Sequence, residues 1–118
     1  MKTVQQKLGS RGGIRVIGDP KMAVKRVGLL PGSTPLAATV AMLSGVDVIV
    51  GGEMREWESV EFVRDNVIAG NKKGLVLVGR VVSEEPGIAA CATWLKTVVP
   101  GMPVTHLTAG DPYWRPGR

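Results

Sequence analysis

The sequence predicts an α/β protein in which a mixed sheet of about five strands is layered with three main helices. Short runs of Val, Leu and Ile alternate along the chain with segments in which apolar residues recur every three or four positions. The 16 Gly and 8 Pro fall between these runs rather than in one tract, as turn residues do. A length of 118 residues is typical of one domain, so we expect residues 1–118 to form a single one.

Five segments have the composition of β-strands, being short, rich in β-branched residues and bounded by turn residues. In chain order they cover residues 14–18, 25–30, 46–50, 75–78 and 103–107. The third and fourth are almost continuously apolar, which indicates strands buried on both faces of a partly parallel sheet. No helix separates the first two, so we expect them to form a hairpin or an edge of the sheet.

Three segments have the apolar period of a helix, and they cover residues 35–44, 56–69 and about 86–99. Ser33 or Thr34 can cap the first helix, and Gly45 ends it. The third is expected to open at Pro86, because Pro is favoured in the first turn of a helix.

Both ends of the chain are predicted to lie outside the main elements. Residues 1–13 indicate a flexible segment or a frayed helix, and residues 109–118 indicate a tail. No apolar stretch reaches the roughly 20 residues of a membrane span, and residues 1–7 lack the apolar core of a secretory signal. Cys91 is the only cysteine, which fits a reducing compartment, so a cytoplasmic location without a membrane partner is expected.

The net charge of +5 arises from 15 basic and 10 acidic residues, and many of the basic ones lie near the two ends. A nucleic-acid-binding surface is expected to show a basic stripe interleaved with aromatic residues, and the sequence has no such stripe. The charge therefore favours a role in solubility or general steering over nucleic-acid binding.

The common sequence signatures of catalysis are absent. There is no phosphate-binding loop, no dinucleotide fingerprint and no Cys-x-x-Cys pair. His106 is the only histidine, and its place in the last predicted strand favours a packed residue over a catalyst. Cys91 falls on the apolar side of the third helix, so a buried, inert thiol is expected.

Charged residues do follow two predicted strands directly, at the sheet edge where α/β proteins bind ligands. The candidate pocket-lining residues are Glu53, Arg55 and Glu56 after one strand, and Arg80, Ser83 and Glu85 after the other, where Glu84 also lies. Their carboxylates are hard oxygen donors suited to a divalent cation. Acidic residues also favour helix amino termini, and spacing alone favours this second interpretation.

Several short motifs, in their order and spacing, resemble the carboxy-terminal half of the NIF-three-like family. These are Gly-Asp-Pro at 18–20, Pro-Gly-Ser at 31–33, Val-Asp-Val-Ile-Val-Gly-Gly-Glu at 46–53, Arg-Glu-Trp-Glu at 55–58, residues 79–87, Trp-Leu-Lys at 94–96 and residues 111–116. The family consists of hexameric proteins with a dinuclear metal centre, also labelled type-2 GTP cyclohydrolase I. The resemblance implies a NIF-three-like half-domain, a homo-oligomer and a divalent metal ion as cofactor.

At the metal site this sequence departs from the family motif, Gly-His-x-x-Ser-Glu, whose His and Glu both ligate metal. Glu84 occupies the Glu position, Arg80 replaces the His, and Glu53 matches a Gly-Glu motif that borders the site. A guanidinium group has no lone pair to offer a cation. Arg80 is therefore expected either to pair with Glu84 in place of the metal or to point into solvent.

Two functions remain open on this basis. The first is a non-catalytic assembly or ligand-binding module with an incomplete metal site, which could hold a small anion near Arg55 and Arg80. The alternative is a divalent-metal-dependent hydrolase in which Glu84 is one ligand and an amino-terminal half or partner subunit supplies the rest. The first predicts an oligomer without stoichiometric metal, and the second predicts metal binding that another polypeptide completes.

Overall fold

The computed structural model describes residues 2–8, 13–110 and 112–113. Its strands are β1 (Arg15–Ile17), β2 (Val27–Thr34), β3 (Val48–Met54) and β4 (Gly74–Leu77). Its helices are α1 (Lys2–Leu8), α2 (Leu36–Gly45), α3 (Glu61–Ile68) and α4 (Arg80–Val98), and a π-helical segment, Glu56–Val60, leads into α3. The predicted α/β class is confirmed, with four strands rather than five among the described residues.

The four strands form one mixed sheet in the order β1-β4-β3-β2. β2, β3 and β4 are parallel and connected by helical crossovers, and the short β1 pairs antiparallel with β4. The first two strands therefore occupy opposite edges, so the expected hairpin is wrong and the expected edge position is confirmed. The parallel strands are apolar on both faces, and this places them side by side.

One face of the sheet packs against α2 and α3 and holds the core. Its buried cluster consists of Leu43, Ile49, Met54, Val63, Leu75 and Leu77. Gly28 permits the close packing of α2, because a Cβ atom there would lie 2.6 Å from the sulfur of Met42. Each large apolar side chain buried here contributes roughly 1.5–3 kcal/mol, and this layer fixes the orientation of the strands.

The other face of the sheet is also apolar but only partly covered. The strand register aligns Val16, Val76, Val50 and Leu29 in one row across all four strands, with Val27 beside them on the same face. Val76 in the middle is buried, whereas Val16, Val27 and Leu29 toward the edges are exposed. We call these three exposed residues the open sheet face.

At the carboxyl ends of β2 and β3, two glycines let the first turn of α4 reach the backbone of the sheet. The Gly32 N–H donates to Ser83 Oγ over 2.9 Å, and this hydroxyl donates to the Arg80 carbonyl over 2.7 Å. A Cβ atom at Gly52 would overlap the Gly32 carbonyl and Ser83 Oγ. Gly32 has a φ of +75°, which glycine adopts without strain.

β2 and β3 are longer than predicted, because their pairing with each other continues past the glycines. The sequence predicts that the strands end at Pro31-Gly32 and Gly51-Gly52, but β2 continues to Thr34 and β3 to Met54. The register shifts between Leu30 and Ser33, so the Pro-Gly pair forms an irregularity within β2 instead of ending it.

The start of α4 also differs from the prediction. The helix begins at Arg80, six residues before Pro86, and Pro86 lies inside it. Gly79, with a φ of +97°, turns the chain directly from β4 into the helix, and its carbonyl accepts the Ser83 N–H over 3.1 Å. The early turn makes the predicted loop at residues 80–85 helical.

The strand predicted at residues 103–107 is wrong, because this segment has no regular structure. A strand needs a neighbouring strand as hydrogen-bond partner, and none of the four described strands pairs with it. The 19-residue α4, about 28 Å long, precedes this segment. His106 lies in the irregular segment at residues 103–107, and its side chain is half-buried.

α4 contains no buried residue among its 19. Cys91, predicted to be buried, is exposed, because the side of α4 on which it lies is not packed against the sheet. None of the described helices is both long and apolar enough to cross a membrane.

Asp47, just before β3, holds the segment that leads into β2. Its Oδ2 accepts the backbone N–H groups of Arg26 and Lys25, each over 2.8 Å. These two hydrogen bonds lower the pKa of the Asp47 carboxyl below its usual value, Arg26 contributing the larger effect.

Replacing Gly52 by Ala should destabilise the protein by about 1–3 kcal/mol, because the new methyl group forces α4 away from β2. Gly45→Ala is the matched control, since no atom lies within 4 Å of its Cβ position at the end of α2. It should be neutral or stabilising by up to about 1 kcal/mol. Urea denaturation measures both changes, and equal effects would contradict the packing described.

Asp47→Asn should lower the free energy of unfolding at neutral pH, because the ionised carboxylate is the form that the two N–H groups stabilise. Since the folded-state pKa is lowered, this contribution is complete above the usual value of about 3.9 and is lost as the pH falls through the folded-state pKa. Urea denaturation across pH should show the difference from wild type shrinking toward acid. A difference that grows toward acid would refute the assignment.

Candidate functional site

The predicted site residues lie on two elements at the carboxyl edge of the sheet. Arg80, Ser83, Glu84 and Glu85 occupy the first two turns of α4, and Ser83 anchors these turns to β2. Gly32 of β2 borders the same place, because a Cβ atom there would lie 2.8 Å from Glu84 Oε1. The structure therefore brings Glu84 against the β2 backbone, a contact that the sequence alone did not predict.

Arg80 and Glu84 form an ion pair one helical turn apart. Arg80 Nε donates to Glu84 Oε2 over 3.2 Å, and both side chains are about half exposed. An exposed pair at this spacing contributes only a few tenths of a kcal/mol to stability. Its importance is chemical, because it places a permanent cation beside the carboxylate.

The residues that follow β3 have other partners. Arg55, directly before the π-helical segment, donates to the carboxylate of Glu58 in that segment over 3.4 Å. Glu56 pairs with Arg15 of β1. The carboxylate of Glu56 is therefore directed toward β1, an interaction for which the sequence gave no signal.

Glu53 is the penultimate residue of β3, where it is exposed and in register with Ser33 of β2. Among the three predicted site residues after β3, which are Glu53, Arg55 and Glu56, Glu53 is the one that has no ion pair with a described residue.

Glu85 carries a polar atom without a partner. Its Oε1 is buried and accepts no hydrogen bond from any residue that the structure describes. A buried carboxylate oxygen without a donor costs free energy.

The residues that the structure describes do not supply a complete donor set for a divalent metal ion. No three His, Cys, Asp or Glu side chains in the described part of the chain are grouped closely enough to hold one. Glu84 supplies a carboxylate, but Arg80 contributes a positive charge and no lone pair. Catalytic zinc sites use three protein ligands, and Ca²⁺ takes about six to eight oxygens.

Comparison with known proteins shows where this arrangement belongs. Residues 1–109 match the family Duf34/NIF3 (NGG1p interacting factor 3). No curated protein matches the chain in sequence.

Solved structures share the fold. A Staphylococcus aureus protein, SA1388, superimposes in two crystal structures with TM-scores of 0.64 and 0.67 at 18% and 21% identity, each covering 94% of this chain. A Bacillus cereus protein related to NIF3 has a TM-score of 0.64 at 22% identity and covers 97% of this chain.

This chain spans only 31–36% of the length of those proteins. At such low sequence identity, the structural likeness shows a shared fold and nothing beyond it. The family match over residues 1–109 and the shared fold agree with the motifs at the two strand ends. The chain belongs to the Duf34/NIF3 family.

Proposed function

We propose that this chain is a non-catalytic assembly module of the family, in which the Arg80–Glu84 ion pair replaces a pair of metal ligands. The contact of 3.2 Å between Arg80 Nε and Glu84 Oε2 is the observation that carries the proposal. The family motif places a His and a Glu at these two positions, so the substitution exchanges a neutral donor for a fixed cation.

The electrostatics of the pair support a metal-free role. A divalent cation approaching Glu84 would meet the positive charge of Arg80 and would have to break the ion pair first. It would gain one carboxylate, too few ligands to offset the loss of its hydration shell. In this account the hydrogen bond between the Gly32 N–H and Ser83 Oγ keeps Glu84 in place by holding the first turn of α4 against β2, a structural role that does not require a metal ion.

Binding of a small anion near Arg55 and Arg80 stays a prediction, and the contacts of these two residues favour it less than the metal-free role. Each guanidinium group contacts a carboxylate, Glu58 in one case and Glu84 in the other. An anion would have to compete with these carboxylates for the same donors.

Metal content tests the proposal directly. The full chain is incubated with Mn²⁺ or Zn²⁺, passed through a desalting column and measured by elemental mass spectrometry. We expect less than about a tenth of an equivalent of either metal, because Glu84 is a single ligand with a cation beside it.

Two variants complete this experiment. Glu84→Gln removes the carboxylate, and Glu61→Gln removes a carboxylate that pairs with Arg64 on α3 and serves as the matched control. A near-integral equivalent of metal that is lost in Glu84→Gln but kept in Glu61→Gln would contradict the proposal. That result would favour the hydrolase alternative, in which another polypeptide completes the site.

A further inference from the structure

A cavity of about 260 Å³ lies beside the edge strand β1. In the antiparallel pairing of β1 with β4, Arg15 lies opposite Leu77 and Ile17 lies opposite Leu75, so these four side chains share one face of the sheet. Both leucines belong to the buried core. The cavity is therefore at the margin of the core, on the side of the sheet away from the open sheet face.

The interior of this cavity is apolar and its rim is charged. Val60 of the π-helical segment completes the apolar lining that Ile17 and the two leucines begin. Arg15 and Glu56 also line the cavity, and their ion pair is exposed to solvent, since 64% and 67% of the two side chains are accessible. The ion pair thus joins the β1 wall to the π-helical wall where the cavity meets solvent.

The π-helical wall is held on its other side by a buried hydrogen bond. Thr39 and Ser59 are both fully buried, and Thr39 Oγ1 donates to Ser59 Oγ over 3.2 Å. π-Helical turns are rare and are frequent at functional sites. Because Ser59 is fixed in the core, its neighbour Val60 keeps its place in the lining. The cavity is therefore formed in advance of any ligand, as most binding sites are.

The size and lining of the cavity indicate the chemistry of a ligand. A water molecule occupies about 30 Å³ in the liquid, so the cavity has room for about nine non-hydrogen atoms. Apolar cavities lined by residues such as Leu and Ile stay dry and bind apolar molecules. A short hydrocarbon chain suits this interior, provided that a polar group at its end reaches the charged rim.

The sign of that polar group follows from the two residues at the rim. A guanidinium binds a carboxylate through paired N–H donors, which suits Arg15 to an anion. An anion that takes Arg15 displaces Glu56, but Glu56 is the first residue of the π-helical segment, where a helix amino terminus still stabilises its charge. Arg15 lies on a strand and has no such compensation. The net charge of +5 also attracts anions.

We propose that this cavity binds a small apolar carboxylate, whose chain packs on Ile17, Leu75 and Leu77 and whose carboxylate replaces Glu56 as the partner of Arg15. Glu56 is then an internal competitor that occupies Arg15 until the ligand binds. The site is independent of the metal-free role proposed above, because neither residue of the ion pair on α4 lines the cavity.

Titration of the full chain with hexanoate, followed by two-dimensional ¹H–¹⁵N NMR, tests the proposal. We expect saturable shifts at the amides of residues 15–17, 60 and 75–77, with a Kd on the order of 1 mM for a ligand of so few atoms. Acetate carries the charge without the chain and should bind at least about tenfold more weakly. Hexylammonium carries the chain with the opposite charge and should give no saturable shifts at these amides.

Substitutions at the exposed rim, which should leave the fold intact, test the role of each charge. Arg15→Gln should weaken hexanoate binding about tenfold, because it removes charge-assisted hydrogen bonds. Glu56→Gln should strengthen binding by up to about fivefold, because it removes the competing carboxylate. Glu58→Gln is the matched control: it releases Arg55 beside the same segment, but neither residue lines the cavity, so the Kd should not change.

Any of three results would overturn the inference: hexanoate shifts at the cavity amides that do not saturate, tighter binding of hexylammonium than of hexanoate, or the same Kd in wild type, Arg15→Gln and Glu56→Gln. The second result would assign the cavity to a cation held by Glu56. The third would mean that apolar contact alone holds the ligand and that Arg15 takes no part.

Discussion

The close contact of three backbone segments at Gly32, Gly52 and Ser83 determines most of what is specific to this structure. No side chain fits between β2, β3 and the first turn of α4, because a Cβ atom at Gly52 would overlap both neighbours. The Gly32 N–H and Ser83 Oγ close the contact with a hydrogen bond. Since the contact fixes where α4 begins, it also determines the position of the charged residues in its first turns and the direction in which the helix leaves the sheet.

Those two consequences connect the Arg80–Glu84 ion pair to the exposed side of α4. Arg80 and Glu84 meet one turn apart above β2, where a cation and a carboxylate neutralise each other. Ile88 and Cys91 continue the same side of the helix at spacings of four and three residues, and both are exposed. One side of α4 thus begins with an ion pair and continues as an apolar surface.

The sequence predicted much of this fold because its signals are local. Apolar runs identify β3 and β4, and helical periodicity places α2 within one residue at each end. The helix predicted at 56–69 covers α3 together with the π-helical segment that leads into it, which the sequence did not distinguish. The start of α4 was mispredicted from two competing local signals: Pro86 indicated a helix start, but Gly79, directly before Arg80, turns the chain into α4 earlier. Glu84 and Arg80 were identified as a possible pair from their spacing, whereas the Gly32 contact and the Glu56–Arg15 ion pair join residues far apart in sequence.

The central claim is that this member of the family assembles without a metal centre, and native mass spectrometry of the full chain tests it in one spectrum. The account predicts an oligomer of the 12.5 kDa chain with no bound metal after exposure to Mn²⁺ or Zn²⁺. A monomer would contradict the assembly, and a species that carries metal ions in integral ratio would contradict the role assigned to Arg80.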